Sequence, residues 1–210
     1  MNGSPLDEVA GYYGGRLREH GATPQGVDWN GAESQFTRFR QLLKVLERDG
    51  PGSINDLGCG YGALLDEFDR IAPGQAYAGF DLVPAMVQEA TARHGARPRT
   101  RFAVGAAPDA PADYGVASGI FNVRLDSSDE SWWEVIVGAL DSLHATSLRG
   151  FAFNCLTSYS DRPLMKPHLY YADPMRVFDH CKRRYSHQVA LLHDYGLYEF
   201  TVIVRQDVHR

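Results

Sequence analysis

Hydrophobic positions along this chain fall into two alternating rhythms. Across 32–48, Phe36, Phe39, Leu42, Leu43 and Leu46 recur at three- and four-residue steps, which predicts one amphipathic helix. Asp49-Gly50-Pro51-Gly52 then supplies the turn chemistry that stops it. Beyond that point short apolar runs alternate with helical periods. Strands are predicted at 53–57, 76–81, 100–104, 114–121 and 151–156. Helices are predicted at 63–71, at 84–94 with proline in the first turn, and at 128–146. Trp132, Trp133, Ile136, Leu140 and Leu143 form the apolar face of the last. Such alternation implies a parallel sheet covered on both faces.

The ending breaks the rhythm. A helix at 173–184 follows an irregular stretch, 157–172, and two strand patterns, 186–193 and 197–205, come last. Only Asp194-Tyr195-Gly196 separates them, which allows a hairpin and excludes a crossover helix. The expected fold is α/β, a doubly wound, mostly parallel seven-stranded sheet with an antiparallel C-terminal hairpin. Residues 1–30 are rich in glycine, tyrosine and polar groups and show no period. Their order must come from packing or a ligand, and the Tyr12-Tyr13 pair suits a lid over an entry path. The length of 210 residues implies one domain over 1–210, with 1–30 as lid, 32–48 as N-terminal helix and 53–205 as core.

Composition narrows the classes. The chain is 44% hydrophobic and 22% charged, as globular proteins are. A net charge of -5 opposes binding to nucleic acid. No apolar run approaches membrane-spanning length, and residues 1–15 carry no secretion signal, so a cytoplasmic protein is expected. Cys59, Cys155 and Cys181 are odd in number and lack a CxxC spacing, which disfavours a disulfide framework and a zinc site.

The most informative stretch is Ile54-Asn55-Asp56-Leu57-Gly58-Cys59-Gly60-Tyr61-Gly62-Ala63. It joins a predicted strand to a predicted helix. Its glycines permit positive φ and close approach of a ligand to bare backbone, beside unsatisfied N–H groups at the helix start. Nineteen residues after Gly62 stands Asp81, at the end of the next strand, where a carboxylate can accept both hydroxyls of a ribose. A nucleoside at the C-terminal edge of the sheet is implied. Gly58, Gly60 and Ala63 satisfy the dinucleotide pattern, so a nicotinamide-dependent oxidoreductase competes. Against it stand the helical segment before the first strand and the antiparallel ending, which replaces the second nucleotide-binding half.

These motifs resemble those of the class I S-adenosylmethionine-dependent methyltransferases. Asp56-Leu57-Gly58-Cys59-Gly60-Tyr61-Gly62 resembles that family's first motif and Phe80-Asp81-Leu82 its second. The stretch from Arg101 to Asp109 resembles the adenine-side loop, although Ala106 stands where many members carry an acid. The stretch from Asp113 to Asn122 resembles the fourth-strand motif. The resemblance spans about residues 33–205 and implies a Rossmann-like fold, S-adenosyl-L-methionine as cofactor, and methyl transfer. The cofactor residues it implies are Tyr13, Arg38, Asp56, Gly58, Cys59, Gly60, Asp81, Leu82, Gly105, Ala106, Ala107 and Ser118. Arg38 would reach the methionine carboxylate, and backbone groups or Asp109 would read adenine. Cys59 is otherwise a small side chain suited to packing in the turn. A non-catalytic S-adenosylmethionine binder is a further alternative.

A second resemblance, to small bacterial enzymes that tailor sugars, capsules and phosphonates, rests on three features. They are Trp29, Gln35 and Arg38, the string from His168 to Pro174, and the string from His193 to Tyr198. It implies a small polar acceptor methylated on oxygen. No acidic or Asn-Pro-Pro-aromatic motif follows the fourth strand, only Asn122-Val123-Arg124, which disfavours nitrogen. Candidate catalytic residues are His168, since histidine is intrinsically the best-suited base, Tyr171 and Asn122. Candidate substrate residues are Asn154, Arg162, Lys166 and Tyr170, with His168, Tyr170 and Tyr171 in a loop too polar for core. Residues 161–184 set six cations against three carboxylates, which suits an anionic acceptor, although Lys182, Arg183 and Arg184 also suit a helix C-terminus. The partners expected are a small-molecule substrate, no nucleic acid and no membrane, with a homodimer left open.

Overall fold

The computed structural model describes residues 4–29 and 31–206. The parts of the expected lid and domain at 1–3, Asn30 and 207–210 lie outside the described residues. Seven strands form one sheet in the order β3-β2-β1-β4-β5-β7-β6. They are β1 (Ile54–Leu57), β2 (Tyr77–Asp81), β3 (Thr100–Val104), β4 (Ala112–Ala117), β5 (Ser147–Leu156), β6 (Gln188–Leu192) and β7 (Glu199–Arg205). The first five run parallel, and β7 inserts antiparallel between β5 and β6. The expected architecture is therefore present, with a six-residue turn, 193–198, in place of the three expected.

Six α-helices cover the sheet: α1 (Pro5–His20), α2 (Ala32–Leu43), α3 (Leu64–Ile71), α4 (Pro84–His94), α5 (Asp129–Thr146) and α6 (Pro174–Arg184). One face buries Phe39, Leu42, Leu65 and Phe68 of α2 and α3 against Ile54, Tyr77, Tyr114 and Val116. The other buries Trp132, Ile136, Leu140 and Leu143 of α5 with Val177 and Cys181 of α6. Trp133, read into that apolar face, is only half-buried, and the Arg176 guanidinium lies over its ring at 4.3 Å from the centre.

Three elements depart from expectation. The 32–48 period splits into α2 and a 3-10 turn, Lys44–Leu46, and leaves Phe36 at the surface. The fourth strand stops at Ala117, because Gly119 at φ 74° turns the chain. The N-terminal segment is a helix. A capping box between Ser4 and Asp7 starts α1, and Pro5 occupies its first turn. Val9 packs with the α5 face, while Leu17 packs with Val83 and Met86 at the start of α4. The helix thus lies over the ends of the strands.

No helix joins β3 to β4. In the sheet β2 and β1 lie between these two strands, and a crossover between parallel strands usually takes about a dozen residues or more. Here residues 105–111 make the crossing, and an extended chain of that length reaches roughly 25 Å. Asn55 lies on the same strand face as Leu57, and its Nδ2 donates to the Ala110 carbonyl at 2.9 Å. The crossing strap therefore runs over the α5 face.

Candidate functional site

The glycine loop leaves β1 with Gly58, Gly60 and Gly62 all at positive φ: 76°, 53° and 80°. A Cβ on Gly58 would stand 2.0 Å from Ile120 Cγ2, so only glycine fits there. The Gly58 and Cys59 N–H groups both donate to the Phe80 carbonyl, at 2.7 and 3.0 Å. Asp81 braces the same loop. Its Oδ2 accepts the Gly60 N–H and its Oδ1 the Val83 N–H, each at 2.9 Å. Burial raises the Asp81 pKa, and these backbone donors pull it back.

Above the ends of β1, β2 and β4 lies a cavity of about 350 Å³. Eleven of the twelve residues read from sequence as cofactor ligands line it. They are Tyr13, Asp56, Gly58, Cys59, Gly60, Asp81, Leu82, Gly105, Ala106, Ala107 and Ser118. Trp29, singled out in the second resemblance, also lines it, while sequence reasoning missed the walls from Val9 on α1 and the α5 side chains Val135 and Ala139. Only the half-buried pattern of α1 could have signalled the first of these. Cys59 is buried beside the loop, and burial pushes its thiol pKa well above the usual value, so it packs rather than reacts.

Two polar atoms at this cavity are buried without a hydrogen-bond partner: Asp56 Oδ1 and Ser118 Oγ. Tyr77 donates to the other Asp56 oxygen. Burial is the main cause that lifts the Asp56 pKa to about 7, with the Tyr77 bond opposing. Buried orphans of this kind imply a polar ligand. The glycine cradle and Asp81 beside it fit the nucleoside and amino-acid ends of S-adenosylmethionine.

Arg38 does not line the cavity. It is buried against Trp29, which does line it, with Nε donating to Glu199 Oε2 at 2.7 Å and its guanidinium 4.0 Å from the centre of the Trp29 ring. Asp109, read as a candidate adenine ligand, is instead exposed and paired with Arg101.

The acceptor-side residues sit elsewhere, and none of them lines the cavity. Asn122 and Asn154 are buried and hold the fold. Asn122 Oδ1 accepts the Leu156 N–H at 3.0 Å. Asn154 accepts from Gly119 N–H, donates to Glu199 and is fully buried. Tyr170 is core rather than loop surface, packed among the α5 and α6 side chains. The loop folds back because Tyr170 N–H donates to the Asn122 carbonyl at 2.8 Å. Tyr171 is half-buried, and its hydroxyl accepts the Lys166 N–H at 2.8 Å. His168 is half-buried with its ring 6.3 Å from Tyr12, so α1 and this loop meet. Arg162 and Lys166 are exposed and form no ion pair among the described residues. Lys182, Arg183 and Arg184 serve the helix end: Arg183 pairs with Asp179, Arg184 with Asp141, and Lys182 caps the His187 carbonyl.

Comparison with known proteins adds three findings. Residues 54–144 match the model of a family described as a methyltransferase domain. Rv1506c of Mycobacterium tuberculosis, whose name places it among methyltransferases, is 56% identical over 164 residues, 78% of this chain and 99% of its own. Among solved structures, human N-acetylserotonin methyltransferase with SAM matches at TM-score 0.66 and 17% identity. That match covers 99% of this chain and 61% of the human one. DhpI in a complex with SAM and HEP matches at TM-score 0.66 and 15% identity, covering 97% and 99% of the two chains.

Proposed function

The chain belongs to the S-adenosylmethionine-dependent methyltransferases of class I fold, and from that premise we propose that it methylates an oxygen of a small polar acceptor such as a sugar or a phosphonate. The observation that carries the cofactor side of this reading is the convergence of eleven sequence-read residues on one cavity. When bound, the cofactor supplies a methyl group already activated on a sulfonium. The protein's task is then to orient the acceptor in line at about 3–3.5 Å and to exclude water.

In this reading Asp81 holds the ribose hydroxyls, and the backbone of Gly58 and Gly60 lies under the nucleoside. Leu82, Ala106 and Ala107 flank adenine. Asp56, Ser118 and Arg38 serve the amino-acid end. Tyr13 closes the site, and α1 acts as the lid of one domain spanning 1–210. The acceptor enters where α1 meets the loop carrying Arg162, Lys166, His168 and Tyr171. Oxygen is favoured over nitrogen because no acidic or Asn-Pro-Pro-aromatic motif follows β4, only Asn122-Val123-Arg124. His168 is the base for a neutral hydroxyl, and an anionic oxygen needs none.

Calorimetry with S-adenosylhomocysteine and with NAD tests the cofactor. Binding of the first and not the second is expected, and the reverse would return the oxidoreductase. A screen of hydroxylated, phosphonate and amine acceptors with labelled cofactor tests the acceptor. Transfer to amines alone would overturn the oxygen reading, and transfer to none of them would favour the silent binder.

A further inference from the structure

Glu199 opens β7 and is 1% exposed. Its Oε2 accepts from Arg38 Nε at 2.7 Å and from Asn154 Nδ2 at 2.8 Å. Asn154 turns its other end to Gly119, whose N–H it accepts at 2.7 Å. Gly119 lines the cavity, and the Trp29 ring sits so close that a Cβ there would stand 2.3 Å from it. Trp29 in turn stacks on Arg38. A closed circuit therefore links the segment after α1, the helix α2, the strands β7 and β5, and the tip of β4.

The circuit is incomplete in one respect. Arg38 Nη1 and Glu199 Oε1 are both buried without a partner. A buried ion pair with unmet polar atoms is weak as a stabilising device, and replacing it with apolar side chains is often neutral or better. Its geometry does something else. With Nε fixed, the guanidinium plane is fixed, and Nη1 is left to donate to a carboxylate.

We propose that Glu199 is a positioning residue for the methyl-transfer site: it aims Arg38 at the cofactor's carboxylate and, through Asn154, holds Gly119 at the amino-acid end of the cavity. This rests on the assignment of Arg38 to the cofactor carboxylate. Glu199 touches neither cofactor nor acceptor in this role.

The test compares two probes by calorimetry: S-adenosylhomocysteine and 5′-methylthioadenosine, which shares the nucleoside and sulfur but lacks the amino acid. The readout is the ratio of their affinities in wild type, Glu199→Gln, Glu199→Asp and Arg38→Met. Glu199→Asp keeps the charge with a shorter reach and covers the case in which Glu199→Gln does not fold. The expected result is a fall in the ratio of about tenfold in all three variants, carried by S-adenosylhomocysteine, with 5′-methylthioadenosine little changed. A merely structural role would weaken both probes together and leave the ratio unchanged. If Arg38→Met lowers the ratio and neither Glu199 variant does, the positioning role is overturned while the Arg38 assignment stands. If Arg38→Met leaves the ratio unchanged, both fall.

Discussion

Asp56 and Asp81 end neighbouring strands of the sheet, yet their surroundings ask different things of them. Asp81 already accepts two backbone N–H groups and keeps lone pairs for a ribose. Asp81→Ala should lower S-adenosylhomocysteine affinity at least tenfold, since a hydrogen bond to a charged group contributes roughly 1.5–3 kcal/mol. Calorimetry reads this, and unchanged affinity would place the ribose elsewhere. Asp56 should report through stability instead. Its folded pKa is raised to about 7 from 3.8. The unfolded chain therefore releases this proton first, and the folded state loses stability as pH rises from about 4 to about 7. Melting temperatures of the cofactor-free protein should show that fall, and Asp56→Asn, which stays neutral, should flatten it. An equal slope in both proteins would show that other groups set it. These acids and the glycines between them were legible in sequence because their spacing is local. Arg38 was not. Its partner Glu199 is 161 positions away, and no pattern announces that contact.

At the scale of elements, periodicity located the strands and most helices, and failed where glycine or a turn interrupts it. The helix α1 escaped notice because Gly11, Gly14 and Gly15 break its apolar stripe, although Ser4-Pro5-Leu6-Asp7 carried a start signal. Nothing around Gly14 requires glycine, since a Cβ there would stand 3.8 Å from Val83, an ordinary contact. The end of β4 was read four residues too long because Ile120 and Phe121 are apolar, yet they turn inward to line the cavity. The helix α1 supplies Leu6, Val9, Ala10 and Tyr13 to that cavity, so a bound cofactor would touch it directly. Hydrogen exchange across Pro5–His20 should slow on adding S-adenosylhomocysteine, while the central strand β4 should change little. Equal protection of α1 in both states would exclude a lid.

On the scale of the molecule, α2 and α3 cover one face of the sheet and α5 and α6 the other, and a bare strap rather than a helix joins β3 to β4. That order brings the ends of β1 and β4 side by side and places the acceptor loop next to α1. The loop is held by the fold. Its His168 carbonyl accepts the Arg124 and Leu125 N–H groups, and Leu169 bridges Val123. It thus presents Arg162 and Lys166 from a fixed base, unpaired among the described residues, on a chain whose net charge is -5. Two free cations against an acidic background would draw an anionic acceptor and leave the cofactor, whose cavity neither residue lines, untouched. Replacing both with alanine should raise the KM of a phosphonate acceptor about tenfold, with the larger effect at low salt, where screening is weakest. Affinity for S-adenosylhomocysteine should stay at the wild-type value. An unchanged KM across salt concentrations would remove the anionic acceptor and leave a neutral hydroxyl, with His168 as the group that must take its proton.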